Sequence, residues 1–243
     1  MSSKRRPQPQ KKKQSSLPLV IILGVLVVAV LAGVLLVSRD KSEGRQGKAP
    51  KQSDADLLEN AHPGAQPPHT KGPENAAIQI EEFGDYECPA CGRVFHYLKK
   101  IEAERGANFR LTFRQNPLQM HRFASIAARA AEAAGMQDKF WEMHDALYEH
   151  QEEWSKKEVA DPRPFFASYA QAIGLDVGRF TADMNSQAVS TRIVADLRRA
   201  RQLYITATPT LYLNKHQLDG ETTMDEDQLR GQIEAAAAAA PAQ

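Results

Sequence analysis

Hydrophobic and polar positions divide the chain into three stretches. Residues 17–37 form an uncharged and mostly apolar run, and about 20 such residues in a helix span the ~30 Å hydrocarbon core of a bilayer. Residues 38–75 are rich in Gly, Pro, Gln and Ser and have no period, so they predict a disordered linker. Residues 76–243 alternate between strand-like and helix-like patterns and predict one folded domain.

The folded part begins with a predicted strand, helix and strand. Residues 76–83 alternate apolar and polar side chains, and residues 91–106 have helical spacing that ends at Gly106. Residues 108–116 alternate again. This order favours two parallel strands joined by a crossover helix.

The remaining pattern is first helical and then mixed. Helical spacing continues over about 118–203, with stops at Gly135 and Gly174. Two short strands around a turn near 214–216 follow, and a last helix is predicted from about 224 to 240. The predicted class is therefore α/β, in which an inserted all-helical subdomain separates a βαβ half from a ββα half.

Charge separates the beginning of the chain from the domain. Residues 1–73 carry 12 Lys and Arg against 5 Asp and Glu, a net charge of +7, whereas residues 74–243 carry 19 against 25, a net charge of −6. An acidic domain argues against a nucleic-acid partner. The basic head 1–16 and the apolar run 17–37 predict a single-pass membrane anchor with a cytoplasmic amino terminus. A cleaved signal peptide is the alternative, although its apolar core is usually shorter.

Both cysteines of the chain lie in the stretch DYECPACGRVF, residues 85–95. The pair could be a structural disulfide, part of a metal site or a redox dithiol. A two-residue loop gains little from a cross-link, and a zinc site needs four ligands, so a redox dithiol without metal or cofactor is favoured. A helix amino terminus lowers the pKa of Cys88, Pro89 fits the first helical position, and Cys91 is expected to be more buried and to resolve mixed disulfides.

A second motif, ITATPTLYL, follows the cysteine pair by about 120 residues. Together with CPAC, FASIAARAAEAAG, KFWEMHDALYE and TPTLYLNKHQLDG, it resembles the DsbA-like thiol:disulfide oxidoreductases of the thioredoxin superfamily, including membrane-tethered BdbD-like members. The matching pieces cover most of residues 76–230. The resemblance implies a thioredoxin-like fold with a helical insertion, in which Cys88 is the nucleophile and Cys91 the resolving thiol.

The resemblance also implies roles for residues around the pair. Pro209 is expected to form a cis peptide bond beside the disulfide, and the backbone of Thr208 to bind an extended substrate segment. Pro89 and Ala90 are expected to tune the redox potential. Asp85 is interpreted either as a proton relay to the buried thiol or as a turn residue.

Some residues predict a milder oxidant than the strongest family members. Ala90 stands where many DsbA proteins have His, which can stabilise a thiolate. Glu81, Glu82 and Glu87 add negative charge near the pair, and such charge opposes thiolate formation.

Four further residues carry structural expectations. Asn116 stands where Phe is frequent in the family, so a local packing contact is expected to differ. Lys215 replaces the Gly usual in such hairpins, which predicts a longer or differently shaped turn. His121 and His144 are interpreted as packing or capping residues.

The resemblance implies a membrane-anchored enzyme that forms disulfides in reduced exported proteins. A membrane redox partner, DsbB-like or VKOR-like, and the lipid bilayer around residues 17–37 are the other implied partners. A reductase or isomerase with the same site is the alternative within this chemistry. A non-catalytic thioredoxin-like chaperone or binding module is the alternative of another class.

Overall fold

The computed structural model describes residues 53–239. The helices are α1 (Asp54–Asn60), α2 (Pro89–Arg105), α3 (Ala124–Gly135), α4 (Phe140–Glu149), α5 (Gln151–Trp154), α6 (Arg163–Ala172), α7 (Val177–Asp183), α8 (Gln187–Gln202), α9 (Gly220–Met224) and α10 (Glu226–Ala239), with a 3-10 turn at Gly106–Asn108. The strands are β1 (His69–Lys71), β2 (Ile78–Gly84), β3 (Phe109–Gln115), β4 (Thr210–Leu213) and β5 (His216–Gln217).

The predicted basic head 1–16 and anchor 17–37 lie outside the described residues. From residue 53 to residue 239, none of the helices combines the length and the apolar character that a bilayer crossing requires.

The five strands form one sheet in the order β1-β3-β2-β4-β5. β2 and β3 are parallel, with Ile78 opposite Phe109, and α2 connects them as predicted. β1, β4 and β5 each run antiparallel to their neighbours. The α/β class and the thioredoxin-like order of elements are therefore confirmed.

The central strand β2 is covered on both faces. Ile78 and Ile80 pack against α2 and α10, whereas Phe83 packs with Leu58 of α1 and Ala200 of α8. Successive side chains of a strand point to opposite faces, so this alternation places a helical layer on each side. The carboxyl end of β2, where the cysteines follow, is held from both sides.

Helices α3 to α8 lie between β3 and β4 in the chain and contain a third core. The alanines of α3 are almost all buried, and their small side chains let α4 and α8 pack closely against this helix. Phe140, His144, Leu147 and Tyr148 are all buried on α4.

Residues 53–75, the described part of the predicted disordered linker, are folded, so that prediction is wrong for them. α1 buries Leu58, and β1 pairs with the free edge of β3. Arg199 and Arg192 of α8 donate to backbone carbonyls of this segment. The two arginines are more than a hundred residues away from these carbonyls in the chain. The local sequence pattern therefore cannot indicate the contacts.

These contacts form what we call the α8 clasp: Arg192 and Arg199 with the carbonyl groups of Leu58, His62, Gln66 and Pro67. The Arg199 carbonyl contacts are 3.2 and 3.1 Å long. Arg199 also binds the Glu81 carboxylate through two contacts of 2.8 Å. The clasp thus joins the amino-terminal segment, α8 and β2.

The sequence predicts a longer or a differently shaped turn at Lys215; β4 and β5 are joined by a tight two-residue turn, so the longer turn is wrong. Asn214 and Lys215 have φ values of 47° and 71°, the positive values that a two-residue hairpin turn requires. The Asn214 side chain accepts from the backbone N–H of Gln79 at 2.8 Å and donates to the carbonyl of Ala77 at 3.0 Å. These contacts hold the turn against β2 without a glycine.

Candidate active site

The cysteine pair lies where β2 ends and α2 begins. Cys88 is the N-cap of α2, and Pro89 occupies the first turn, as predicted. Both cysteines are free thiols; Cys88 exposes 6% of its surface and Cys91 is fully buried. An attacking thiol can therefore reach Cys88 before Cys91.

The two thiols have opposite acidities. The pKa of Cys88 is lowered to about 5, chiefly by a hydrogen bond from the Cys91 side chain; the backbone N–H groups of Cys91 and Ala90 and a contact with Thr208 lower it further, while burial opposes them. The pKa of Cys91 is raised well above its usual value, first by burial and then by Cys88. At neutral pH, Cys88 is a thiolate and Cys91 a thiol.

The predicted substrate loop lies beside the pair. The Thr208–Pro209 peptide bond is cis, as the resemblance implied. The carbonyl oxygen of Thr208 lies 3.4 Å from the sulfur of Cys88, which donates to it in the thiol form. Two motifs about 120 residues apart in the chain thus meet at one sulfur.

Glu82 is the buried acid of the site. In the sequence it is only one of several acids near the cysteine pair. Its side chain is almost fully buried, and Oε1 has no hydrogen-bond partner among the described residues. Burial raises the pKa of Glu82 to about 8, with Lys71 opposing and Cys88 adding to the rise. Its negative charge helps to keep the pKa of Cys91 high.

The sequence could have identified Glu82 as an acid on the buried face of a strand. Glu82 continues the alternation of Ile78 and Ile80, so strand periodicity places it toward α2. A carboxyl group that titrates near neutral pH beside a thiol can exchange a proton with it.

Asp85 organises the turn that precedes the cysteines. Its carboxylate accepts from the backbone N–H groups of Glu87 and Leu118 at 2.8 Å and pairs with His121 at 2.8 Å. Only its backbone N–H approaches Cys91, at 3.5 Å from the sulfur. This geometry favours the turn interpretation over the proton relay.

The other acids do not weaken the Cys88 thiolate as expected. Glu81 points to the opposite face, where Arg114 and Arg199 hold it. Glu87 accepts from the backbone N–H of Phe123, at the start of α3. With these acids engaged elsewhere, hydrogen bonds to the sulfur dominate its pKa.

Gln151 is a further site residue that the sequence did not reveal. Its buried amide nitrogen donates to the carbonyls of Tyr86 at 2.6 Å and Cys88 at 2.9 Å. The helical insertion therefore holds the backbone of the cysteine loop. A single Gln at the start of a short helix gives no local signal for such a contact.

Aromatic side chains of α4 pack against Tyr86, in the loop that precedes the cysteines. Tyr148 and Tyr86 have ring centroids 4.9 Å apart, and the Tyr86 hydroxyl meets Nδ1 of His144 at 3.1 Å. Burial, aided by Lys71, holds the pKa of His144 well below its usual value. His144 is a packing residue, as predicted.

Several solved structures share this fold. Oxidised BdbD from Bacillus subtilis has a TM-score of 0.61 and 22% identity, covering 70% of this chain and 93% of that one. A thioredoxin-like oxidoreductase from Silicibacter pomeroyi has a TM-score of 0.58 and 25% identity, covering 77% and 98%. The thiol-disulfide exchange protein alpha-DsbA2 from Wolbachia pipientis has a TM-score of 0.59 and 22% identity, covering 74% and 90%.

The fold and the cysteine pair define the class of the protein as thioredoxin-like, with a DsbA-like helical insertion and a CxxC pair at the start of α2. A family model described as thioredoxin matches residues 65–235, and the chain belongs to that family.

Curated relatives share part of their length with the chain. The Na(+)/H(+) antiporter NhaA 1 of Salinispora arenicola is 34% identical over 158 residues, and that of Mycolicibacterium vanbaalenii is 36% identical over 151 residues. The matches cover 65% and 60% of this chain but only 23% of each relative. The antiporter activity in these names belongs to proteins of which the chain spans less than a quarter.

Proposed function

We propose that the protein forms disulfides in reduced exported proteins by transferring its own Cys88–Cys91 disulfide. The low pKa of Cys88 is the observation that carries this direction. A stabilised thiolate favours the reduced form of the pair, and a pair whose reduced form is stabilised is a stronger oxidant. The milder oxidant expected from Ala90 and the nearby acids is therefore not what the site geometry supports.

The transfer takes two exchange steps. A substrate thiolate attacks the sulfur of Cys88; the Cys88–Cys91 bond breaks, and Cys91 leaves as a thiolate. Glu82 can protonate this thiolate, because the pKa of Cys91 is the higher of the two. A second substrate thiolate then attacks the substrate sulfur of the mixed disulfide and releases Cys88 as a thiolate. The substrate loses two electrons, which the cysteine pair gains.

The cis-proline loop is the proposed binding site for the substrate backbone. The carbonyl of Thr208 faces the sulfur of Cys88, and an extended substrate backbone can pair with this loop by strand addition. Such pairing holds the substrate cysteine in line with Cys88 without requiring a particular side chain.

The equilibrium with glutathione tests the direction. We expect a reduction potential nearer to about −120 mV than to about −270 mV, the values of a strong oxidant and a strong reductant of this fold. Quantification of both thiol states by alkylation after equilibration measures it. A potential in the lower range would instead assign the protein as a reductase or isomerase.

The proposed location is the outer face of a membrane, with residues 17–37 as anchor and a DsbB-like or VKOR-like membrane protein as the source of oxidising equivalents. The uncharged run behind a basic head supports this topology. Protease added to spheroplasts is expected to digest the cysteine-containing domain. Complete protection of that domain, with digestion of an outer-face marker, would reverse the proposed orientation.

A further inference from the structure

A groove beside the cysteine pair has no assigned role. It encloses about 470 Å³ between the loop after β3 and helix α8. Leu118, Ile193, Leu197 and Ile205 supply much of its apolar lining. The groove differs from the cysteine site itself, since neither cysteine lines it.

Two residues that line the groove, Leu118 and Ile205, are connected to the cysteine pair. The backbone N–H of Leu118 is bound by Asp85, whose own N–H meets the sulfur of Cys91. Ile205 lies in the segment that continues to Thr208, whose carbonyl meets the sulfur of Cys88. The groove is therefore connected to the cysteine pair through Asp85 on one side and through the loop before Thr208 on the other.

Exposed apolar side chains surround this groove. Val194 lines it with 44% of its surface exposed, and Met120 and Tyr204, next to lining residues in the chain, are 82% and 80% exposed. They are three of the four large hydrophobic side chains that are exposed among residues 53–239. Such clustering marks an interaction surface, whereas single exposed apolar residues do not.

The polar lining favours a negatively charged occupant. Arg129 and Arg201 line the groove, and no acidic residue does. Arg129 donates to the carbonyl of Met184 at 3.0 Å, which leaves its charge unneutralised by any described carboxylate. The exposed Arg201 side chain has no partner within the described part of the chain.

Asn116 adds an independent sign of a ligand. It lines the groove, is only 5% exposed, and its amide nitrogen Nδ2 has no hydrogen-bond partner among the described residues. Buried donors without an acceptor are costly and rare in native proteins. This is the position where the family often has Phe, so the donor is a property of this chain.

We infer that the groove binds the segment of a reduced client protein that flanks its cysteine and selects an apolar residue next to an acidic one. The apolar side chain packs against Leu197 and Val194, the acidic group pairs with Arg201, and a backbone carbonyl accepts from Asn116. The inference rests on the proposed function, because a client must reach Cys88 for the groove to matter.

Rates of oxidation of short peptides test the inference. Each peptide contains two cysteines and, on either side of one of them, the pair Leu-Asp, Leu-Lys or Ser-Asp. The oxidised full-length protein is expected to oxidise a Leu-Asp peptide about threefold faster than its Leu-Lys counterpart, the effect of one exposed ion pair. Ser-Asp peptides are expected to be slower than Leu-Asp peptides because the apolar contact is lost.

Charge reversal provides the decisive comparison. Arg201→Glu is expected to reverse the preference between Leu-Asp and Leu-Lys peptides. Arg198→Glu changes an equally exposed arginine of α8 that does not line the groove, and it is expected to keep the original preference. Equal rates for all peptides, or equal effects of the two variants, would overturn the inference.

Dithiothreitol separates the two proposals. It is uncharged and too small to need the groove, so the wild type and both arginine variants are expected to oxidise it at equal rates. Oxidation of dithiothreitol without any peptide preference refutes the groove alone. Failure to oxidise either dithiothreitol or the peptides refutes the proposed function, and the groove inference with it.

Discussion

At the scale of single residues, the site depends on two groups whose pKa values are shifted in opposite directions, Cys88 downward and Glu82 upward. Cys88 is acidic because hydrogen bonds converge on its sulfur, and Glu82 is weakly acidic because it is buried. The cysteine pair is evident from its spacing in the sequence, and the cis-proline is implied by the family resemblance. The acidity of Cys88 is not, because it depends on contacts made after folding.

Replacement of Glu82 tests its protonation. The pKa of Glu82 is 4.5 in an unperturbed state and about 8 here, so between these pH values the folded state binds the extra proton and stability falls as pH rises. Glu82→Gln removes this dependence, and its stability relative to wild type is expected to increase by about 3 kcal/mol from pH 5 to pH 8. Urea unfolding of the reduced proteins measures it.

A constant stability difference across that pH range would show that Glu82 titrates near its ordinary pKa. In that case it could not supply a proton to Cys91 at neutral pH, and the two-step exchange would need another proton donor.

At the scale of elements, α2 and the helical insertion meet through a close contact at Gly92. A Cβ atom at this position would lie 2.6 Å from Oε1 of Gln151. Gln151 holds the carbonyls of Tyr86 and Cys88. The glycine therefore allows the insertion to support the cysteine loop, although glycine usually weakens a helix interior.

Alanine substitutions of two helical glycines are expected to have opposite effects. Gly92→Ala displaces Gln151 and is expected to lower the free energy of unfolding by about 1–3 kcal/mol through lost hydrogen bonds to the loop. Gly231→Ala in α10, where no atom lies within 4 Å of the added Cβ, is expected to raise it by about 0.5–1 kcal/mol. Thermal and urea unfolding compare the two variants, and stabilisation by both would refute the contact.

Most helices and strands are predictable from the local sequence pattern. The segments predicted wrongly share one cause. Helix α2 with its Gly106 end, the parallel β2–β3 pair and the Ala-rich α3 follow from local periodicity. The folded segment 53–75 and the tight turn at Lys215 depend on partners distant in the chain, namely the arginines of α8 and the backbone of Gln79 in β2. Local pattern cannot report such partners.

At the scale of the whole molecule, the α8 clasp holds residues 58–67 against α8 and β2. Burial raises the pKa of Glu81, but the hydrogen bonds and charges of Arg199 and Arg114 outweigh it and leave the pKa below its usual value. Glu81 is therefore ionised at neutral pH. Its stabilising effect is present above its unfolded pKa and is lost as pH falls through the lower folded pKa.

Loss of Arg199 is expected to release the amino-terminal segment. Arg199→Gln leaves the partly buried Glu81 with one arginine and two carbonyls without a donor, so stability is expected to fall by about 3 kcal/mol. Hydrogen exchange is expected to accelerate in α1 while protection in α2 persists until global unfolding. Arg198→Gln, on the exposed side of α8, is the matched control. Uniform acceleration in both helices would show that the segment has no separate stability.

The α8 clasp also determines how the domain bears mechanical load. Tension applied to the chain at residue 53 is carried by Arg192 and Arg199 into α8, and by Glu81 into the centre of the sheet. None of these contacts involves residues 85–91. A load applied at this end therefore enters α8 and β2 through side-chain contacts that are separate from the hydrogen bonds on the Cys88 sulfur.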